Sequence, residues 1–425
     1  MTTTVFDRDR DEPSALERLL KRGTRSFREL VAGAGGLFPT DVLQFLEAHR
    51  SDDTLDGAAI ESMIAEARLA SPAKWLPQGH GLALPHPLDA EWRFTDTTAH
   101  KLLDLAVAAT GPSDLILLIG VPTVALAAAL RDDDRRYWIC GEQNVINDGV
   151  IGRTVLDRRF RHDQVDGAEA GAAIVDPPWY LPQFQEMLGR ASRHSRHGGL
   201  ILISAPGDEV RPGIREDIAR IAETALAAGL ELVDETKDGL AYRTPFFEIN
   251  ALRAAGIGIC LPDWRRGNLA IYRKRSSGMT WPATPKTPSF ELTVAGIRMR
   301  LLGWNDDGGE ALVPLYTGEV FPSVSMRAPR RAEATLWTSG NRAFKAPGRL
   351  TLAAMLEIAA RRQVWPKGLD PEVSRLRNYS SIDAVAPLIQ NLCELADRES
   401  AEAASLLGSA AWERSASDAR FLNAS

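Results

Sequence analysis

Cysteine is scarce and scattered in this chain. Cys140, Cys260 and Cys393 lie far apart in apolar surroundings, with no CxxC pair and no nearby pair of histidines. The spacing therefore offers neither a disulfide framework nor a structural zinc site, and no metal is expected. Long apolar runs are missing as well, since no stretch approaches the roughly 20 residues that cross a bilayer. The opening residues, MTTTVFDRDRDEPSALERLL, lack the basic start and apolar core of a secretion signal. A cytoplasmic protein with no membrane partner is the expectation. Positive charge is not in excess either: 50 Lys and Arg against 56 Asp and Glu give a net charge of -6. That argues against nonspecific coating of nucleic acid and leaves room only for a local basic patch. Solenoid repeats and long low-complexity tracts are also absent.

What is present suits a globular protein of more than one domain. The 425 residues are 44% hydrophobic and 25% charged, enough for two or three cores. Over residues 1–75, ALERLLKRG, SFRELVAGAGG, PTDVLQFLEAH and GAAIESMIAEARLA carry apolar residues at three- and four-residue spacing between glycine, proline and aspartate breakers. Three or four short helices follow, compatible with a winged-helix unit or with an accessory helical bundle. A proline-rich connector holding His86, Asp89, Trp92, Arg93 and Phe94 opens the next region, 76–275, and a helix capped near Thr95 to Thr97 follows it.

From there strands and helices alternate. DLILLIG, RYWICGE, AAIVDPPW and GGLILISA read as strands, TVALAAALR, LPQFQEMLGRASRHS and REDIARIAETALAAG as helices, and NLAIYRKR as a late strand. This alternation implies a parallel sheet covered on both faces, with ligands beyond the C-terminal strand edges. AAIVDPPW places Asp176 at such an edge. Pro177 and Pro178 fix φ and remove two backbone donors, so the chain must leave the sheet as a stiff, extended turn. Asp176 and the Pro177 carbonyl there form a fixed pair of acceptors, and Trp179 or Tyr180 is placed to stack on a planar ligand. Such stacking is worth about 1–3 kcal/mol per base.

This turn resembles the D-P-P-[YFW] signature of class I S-adenosylmethionine-dependent methyltransferases, which modify the exocyclic amine of adenine or a lysine or glutamine side chain. Asp176, Pro177, Pro178 and Trp179 match it, and the likeness covers roughly residues 114–275. The resemblance implies a Rossmann-like α/β sheet, S-adenosylmethionine as cofactor and an amine-bearing substrate: nucleic acid, protein or small molecule. Asp176 and the Pro177 carbonyl would bind the amino hydrogens and favour the pyramidal nitrogen that attack requires.

On the cofactor side, only Gly120 stands where such enzymes carry a glycine-rich loop, and Pro122 and Thr123 replace further glycines. Gly120 would let the backbone approach the cofactor, and the helix beginning near Thr123 would turn its N-terminus to the cofactor carboxylate. Glu142 follows 22 residues after Gly120, close to the interval at which an acid meets ribose hydroxyls. Asn144 and Asp148 rank below it. Phe246 and Phe247, in YRTPFFEI, would shape a substrate pocket or pack in the core; Phe246 is the candidate carried forward. Beyond a proline-rich linker, residues 285–425 read as short strands around glycine turns and then helices, a C-terminal α+β unit for substrate recognition or self-association.

Three functions follow. The first is N-methyl transfer to an amino group. The second is aminopropyl transfer, because branched-polyamine synthases have a similar turn; they also carry an acidic run where this chain has Val121-Pro122-Thr123. The third is a non-catalytic binding protein on the same fold.

Overall fold

Two segments of the central sequence fix the sheet: Leu115–Ile119 and Ala170–Val175 are continuous apolar runs, and each ends on a residue that cannot extend it, Gly120 and Asp176. Both strands are buried along their whole length and pair in parallel, as expected of strands covered on two faces. The computed structural model describes residues 15–70, 75, 82–131, 133–140, 160–161, 169–211, 213–285, 287–304, 309–362 and 382–408.

Eight strands form the central sheet: β1 (Arg93–Phe94), β2 (Leu115–Ile119), β3 (Arg136–Cys140), β4 (Phe160–Arg161), β5 (Ala170–Val175), β6 (Ser195–Ala205), β7 (Leu230–Arg243) and β8 (Arg266–Lys274). Their order is β1-β7-β8-β6-β5-β2-β3-β4. The strands from β4 to β6 run parallel, whereas β8 lies antiparallel between β6 and β7. Apart from the added β1, this is the strand order of the Rossmann-like class I methyltransferase fold. β2 leads outward to β3 and β4, while β5 leads the other way to β6. The order therefore reverses between β2 and β5, where open α/β sheets hold their ligands.

Apart from the helix at Phe246–Ala254, helices fall where the sequence places them. α1 (Ala15–Lys21), α2 (Phe27–Gly33), α3 (Pro39–Ala48) and α4 (Gly57–Arg68) form the N-terminal helical arm. Among the described residues of this arm there is no strand to make a wing. α5 (Asp96–Ala108) is capped by Thr95, whose hydroxyl accepts from the Thr98 N–H at 3.3 Å. α6 (Pro122–Leu130), α7 (Leu181–His194), α8 (Ile214–Ala227) and α9 (Phe246–Ala254) cover the sheet.

The two-residue β1 and β4 are not announced by the sequence, and β7 is the longest such strand. Its first half is exposed and polar, ELVDETKDG, with neither an apolar run nor alternation to announce it; pairing with β8 holds it. The C-terminal part carries a five-stranded antiparallel sheet of β9 (Ser289–Val294), β10 (Ile297–Leu302), β11 (Val313–Pro314), β12 (Leu336–Thr338) and β13 (Ala343–Lys345). α10 (Gly348–Arg362) and α11 (Ile382–Leu407) pack on it. One apolar interior runs from Leu16 in α1 through Ile116 and Ile174 to Leu301 and Leu407. No helix among the described residues is long and apolar enough to cross a membrane.

Candidate functional site

The turn after β5 begins with Asp176, whose N–H donates to the Ile119 carbonyl at 3.0 Å. This bond ties it to the end of β2. Gly120 lies beside it in the left-handed region, φ 69°, and a Cβ there would sit 2.8 Å from the Asp176 carbonyl oxygen. A side chain at 120 would push the two turns apart, so glycine is what lets the two candidate sites adjoin.

The Asp176 carboxylate ends a relay. Trp179 Nε1–H donates to Ser204 Oγ at 3.2 Å, Ser204 Oγ contacts the Tyr242 hydroxyl, and that hydroxyl donates to Asp176 Oδ1 at 2.7 Å. The indole N–H can only donate, and the single Tyr242 proton goes to Asp176, so Ser204 must donate to Tyr242. Every hydroxyl thus points its proton toward the carboxylate. Burial raises the Asp176 carboxyl to about 7, against the Tyr242 hydrogen bond, the Arg265 charge and Ser204, which favour its ionised form. Burial, and then the Asp176 charge, pushes Tyr242 well above its ordinary value, so it remains a donor. One carboxylate site is taken; others are left for an incoming N–H.

Pro178, Trp179 and Tyr180 line a pocket with Phe38, Trp92 and Phe247, and its charged lining residues are Arg211 and Arg265. Gly36 and Phe38 come from the N-terminal arm, Pro87, Ala90 and Trp92 from the connector, and Val324 from the C-terminal part. The connector is held by the C-terminal sheet: Asp89 binds Arg298 at 2.8 Å and Arg300 at 2.5 Å, and Arg331 donates to the Pro87 carbonyl at 2.8 Å. His86 is fully buried, and burial next to Arg300 and Arg298 holds it down to about 3, so it is neutral. Tyr180 Oη accepts from the Met326 N–H at 3.2 Å, fixing its ring from the same side.

Gly120, Pro122, Thr123, Asp176, Pro177, Pro178, Trp179 and Tyr180 are thus brought to one reach of the sheet's rim. Phe246 is not: it is fully buried, and its neighbour Phe247 lines the pocket. Glu142, Asn144 and Asp148 lie outside the described residues. On the side that would take a cofactor, Gly120 is exposed, α6 opens with Pro122 at its first position, and the Thr123 hydroxyl is buried with no hydrogen-bond partner. An unanswered buried hydroxyl at a helix start beside an open glycine fits a polar nucleoside-bearing group.

Sequence reasoning missed Ser204, Tyr242 and Arg265. Ser204 carried a signal, being a polar residue at the end of the apolar run GGLILIS, as Asp176 is at the end of AAIV. Tyr242 and Arg265 carried none, because β7 and the turn before β8 deliver them from segments distant in sequence.

No family model and no curated protein matches the chain. Among solved structures, it is similar to a mutein of the branched-chain polyamine synthase from Thermus thermophilus, in complex with N4-aminopropylspermidine and 5'-methylthioadenosine. That match has 16% identity and TM-score 0.44, over 64% of this chain and 88% of that one. The same synthase without the mutein changes gives 17% identity and TM-score 0.42, over 64% and 89%. Geranyl diphosphate C-methyltransferase from Streptomyces coelicolor gives 11% identity and TM-score 0.28, over 41% and 80%. Scores at this level carry nothing about this chain's chemistry; the strand order stands on the coordinates themselves.

Proposed function

We propose that this chain is an S-adenosylmethionine-dependent N-methyltransferase acting on an amino group. The observation that carries the reading is the relay from Trp179 through Ser204 and Tyr242 to Asp176 at the reversal point of the sheet. It holds an acceptor still beside Gly120. Gly120, Pro122 and Thr123 would hold S-adenosylmethionine, with Glu142 proposed for its ribose. When bound, S-adenosylmethionine supplies an electrophilic methyl group on sulfur.

The chain's own part is orientation. Asp176 and the Pro177 carbonyl accept the two amino hydrogens, so the nitrogen lone pair points away from the turn and toward the neighbouring Gly120 turn. Pro177 and Pro178 keep these oxygens from relaxing, and Trp179 and Tyr180 flank the substrate. With its carboxyl near pH 7, Asp176 can also take the proton the nitrogen sheds. Segments 1–75 and 285–425 serve substrate recognition around the catalytic region 76–275, since Phe38 and Val324 reach the pocket from either side.

The test is the leaving product. With labelled S-adenosylmethionine and an amine acceptor, S-adenosylhomocysteine is expected; 5'-methylthioadenosine from the decarboxylated donor would assign aminopropyl transfer instead, and neither product would leave a binding protein. Because the ionised form of Asp176 is the acceptor, the transfer rate should rise as pH passes through about 7. A flat profile from pH 5.5 to 8.5, measured at saturating donor, would remove that role.

A further inference from the structure

A guanidinium taken from water is ordinarily answered by carboxylates. Arg298 is answered by Glu291 and Asp89, and Arg342 by Glu399 and Glu402. Arg265 is not. Its guanidinium lies 4.1 Å from the Trp179 ring centroid and 4.4 Å from that of Trp92. Tyr242 and Phe38 stand further off, each at 5.9 Å. Its side chain forms no hydrogen bond with any described residue, and Nε is buried without a partner. Rings hold the faces of a guanidinium, whereas its donors point outward in its plane. Arg265 lines the pocket beside the Asp176 turn, so those donors have a ligand site to serve.

The rest of the lining sets the sign. Arg211 is engaged by Asp217 at 2.5 Å and by the Trp179 carbonyl at 3.0 Å. No carboxylate lines the pocket among the described residues. A polycation would meet the Arg265 charge there, with no carboxylate in the lining to pair with. A planar anion would meet aromatic faces and a fork that binds carboxylate or phosphate through two donors.

We infer that the acceptor is a planar amine bearing a carboxylate or a phosphate, and that Arg265 receives this anion while Asp176 orients the amine. This rests on the transfer reading above, and its test is a binding measurement that needs no turnover. The full chain is titrated calorimetrically with 4-aminobenzoate and adenosine 5'-monophosphate, with their uncharged counterparts aniline and adenosine, and with spermidine.

At least one anion should bind on the order of tenfold or more tightly than its uncharged counterpart, as expected of a charge-assisted pair. That advantage should shrink as sodium chloride is added, and the member of the pair that shows it identifies the anion. Arg265→Met should abolish the advantage and Arg265→Lys should keep part of it. The salt dependence of the unaltered protein decides the matter if Arg265→Met does not fold. Equal binding of charged and uncharged partners, tighter binding of spermidine, no binding of either anion at millimolar concentration, or an advantage that survives Arg265→Met would each overturn the inference. An anion advantage without transfer of any group from either donor would instead overturn the transfer reading and leave the anion site standing.

Discussion

Arg298 and Arg265 both carry a guanidinium away from bulk water, and they are held in opposite ways. Arg298 lies between β9 and the connector with Glu291 at 2.9 Å and Asp89 at 2.8 Å. Burial alone would raise these acids, yet Arg298 and Arg300 hold Asp89 down to about 2 and Glu291 well below the ordinary carboxylate range. Arg265 has rings instead of acids. Glu248 and Asp176 act on it through charge but form no ion pair with it; burial raises Glu248, whose Oε2 has no hydrogen-bond partner, to about 8, and Asp176 to about 7. The first arrangement is complete within the protein and clips the connector to the C-terminal sheet. The second is complete only with something from outside. An arginine's surroundings, not its burial, separate a structural tie from a binding group.

Breaking the structural side should give the largest effect. Because Arg300 also pairs with both acids, Arg298→Met and Arg300→Met must be combined to strand Glu291 and Asp89 as uncompensated charges; the double variant should cost about 3–5 kcal/mol of stability, read from urea unfolding at pH 7. A loss below about 1 kcal/mol would mean the cluster is not the clip described. Arg265→Met, by contrast, removes ring contacts worth roughly 0.5–2 kcal/mol but also removes unanswered donors. Its stability should stay within about 1 kcal/mol of the parent, while anion binding is lost.

Glu248→Gln sharpens the same contrast through pH. A carboxyl raised from 4.5 to about 8 means the native state holds a proton the unfolded chain has released. Stability from this group is therefore full below about 4.5 and is lost as pH rises through about 8. Asp41, raised by burial to about 6, adds a slope of the same sign. Replacing Glu248 with Gln should flatten the fall in unfolding free energy between pH 6 and pH 9; parallel curves for parent and variant would contradict it. The smallest effect belongs to the exposed pair of Arg50 and Glu61. Arg50→Ala should leave the thermal midpoint unchanged within measurement, because solvent screens such a pair.

Much of this architecture was legible in residue order. Apolar runs gave β2, β5 and β6, Pro39 marked the start of α3, and Thr95 marked the cap of α5. The turn at Asp176 to Tyr180 could be read because two prolines leave the chain few conformations. β7 could not, since its exposed half is polar and its pairing with β8 is a tertiary fact. Phe246 and Phe247 differ by one residue on a helix, about 100° of rotation, and only packing decides which one meets the pocket. The relay through Ser204 and Tyr242 and the ring-held Arg265 join segments far apart in sequence, so no local pattern contains them.

The most direct measurement sets donor binding against transfer in Asp176→Asn. Tyr242 must still donate, and it will take the amide oxygen, leaving an NH2 group where the substrate needs an acceptor. The expected result is donor affinity within about threefold of the parent and single-turnover transfer slower by roughly 100-fold or more, the scale seen when one preorganised group is lost. Transfer within about threefold of the parent, at unchanged donor affinity, would contradict the claim that Asp176 positions the nitrogen.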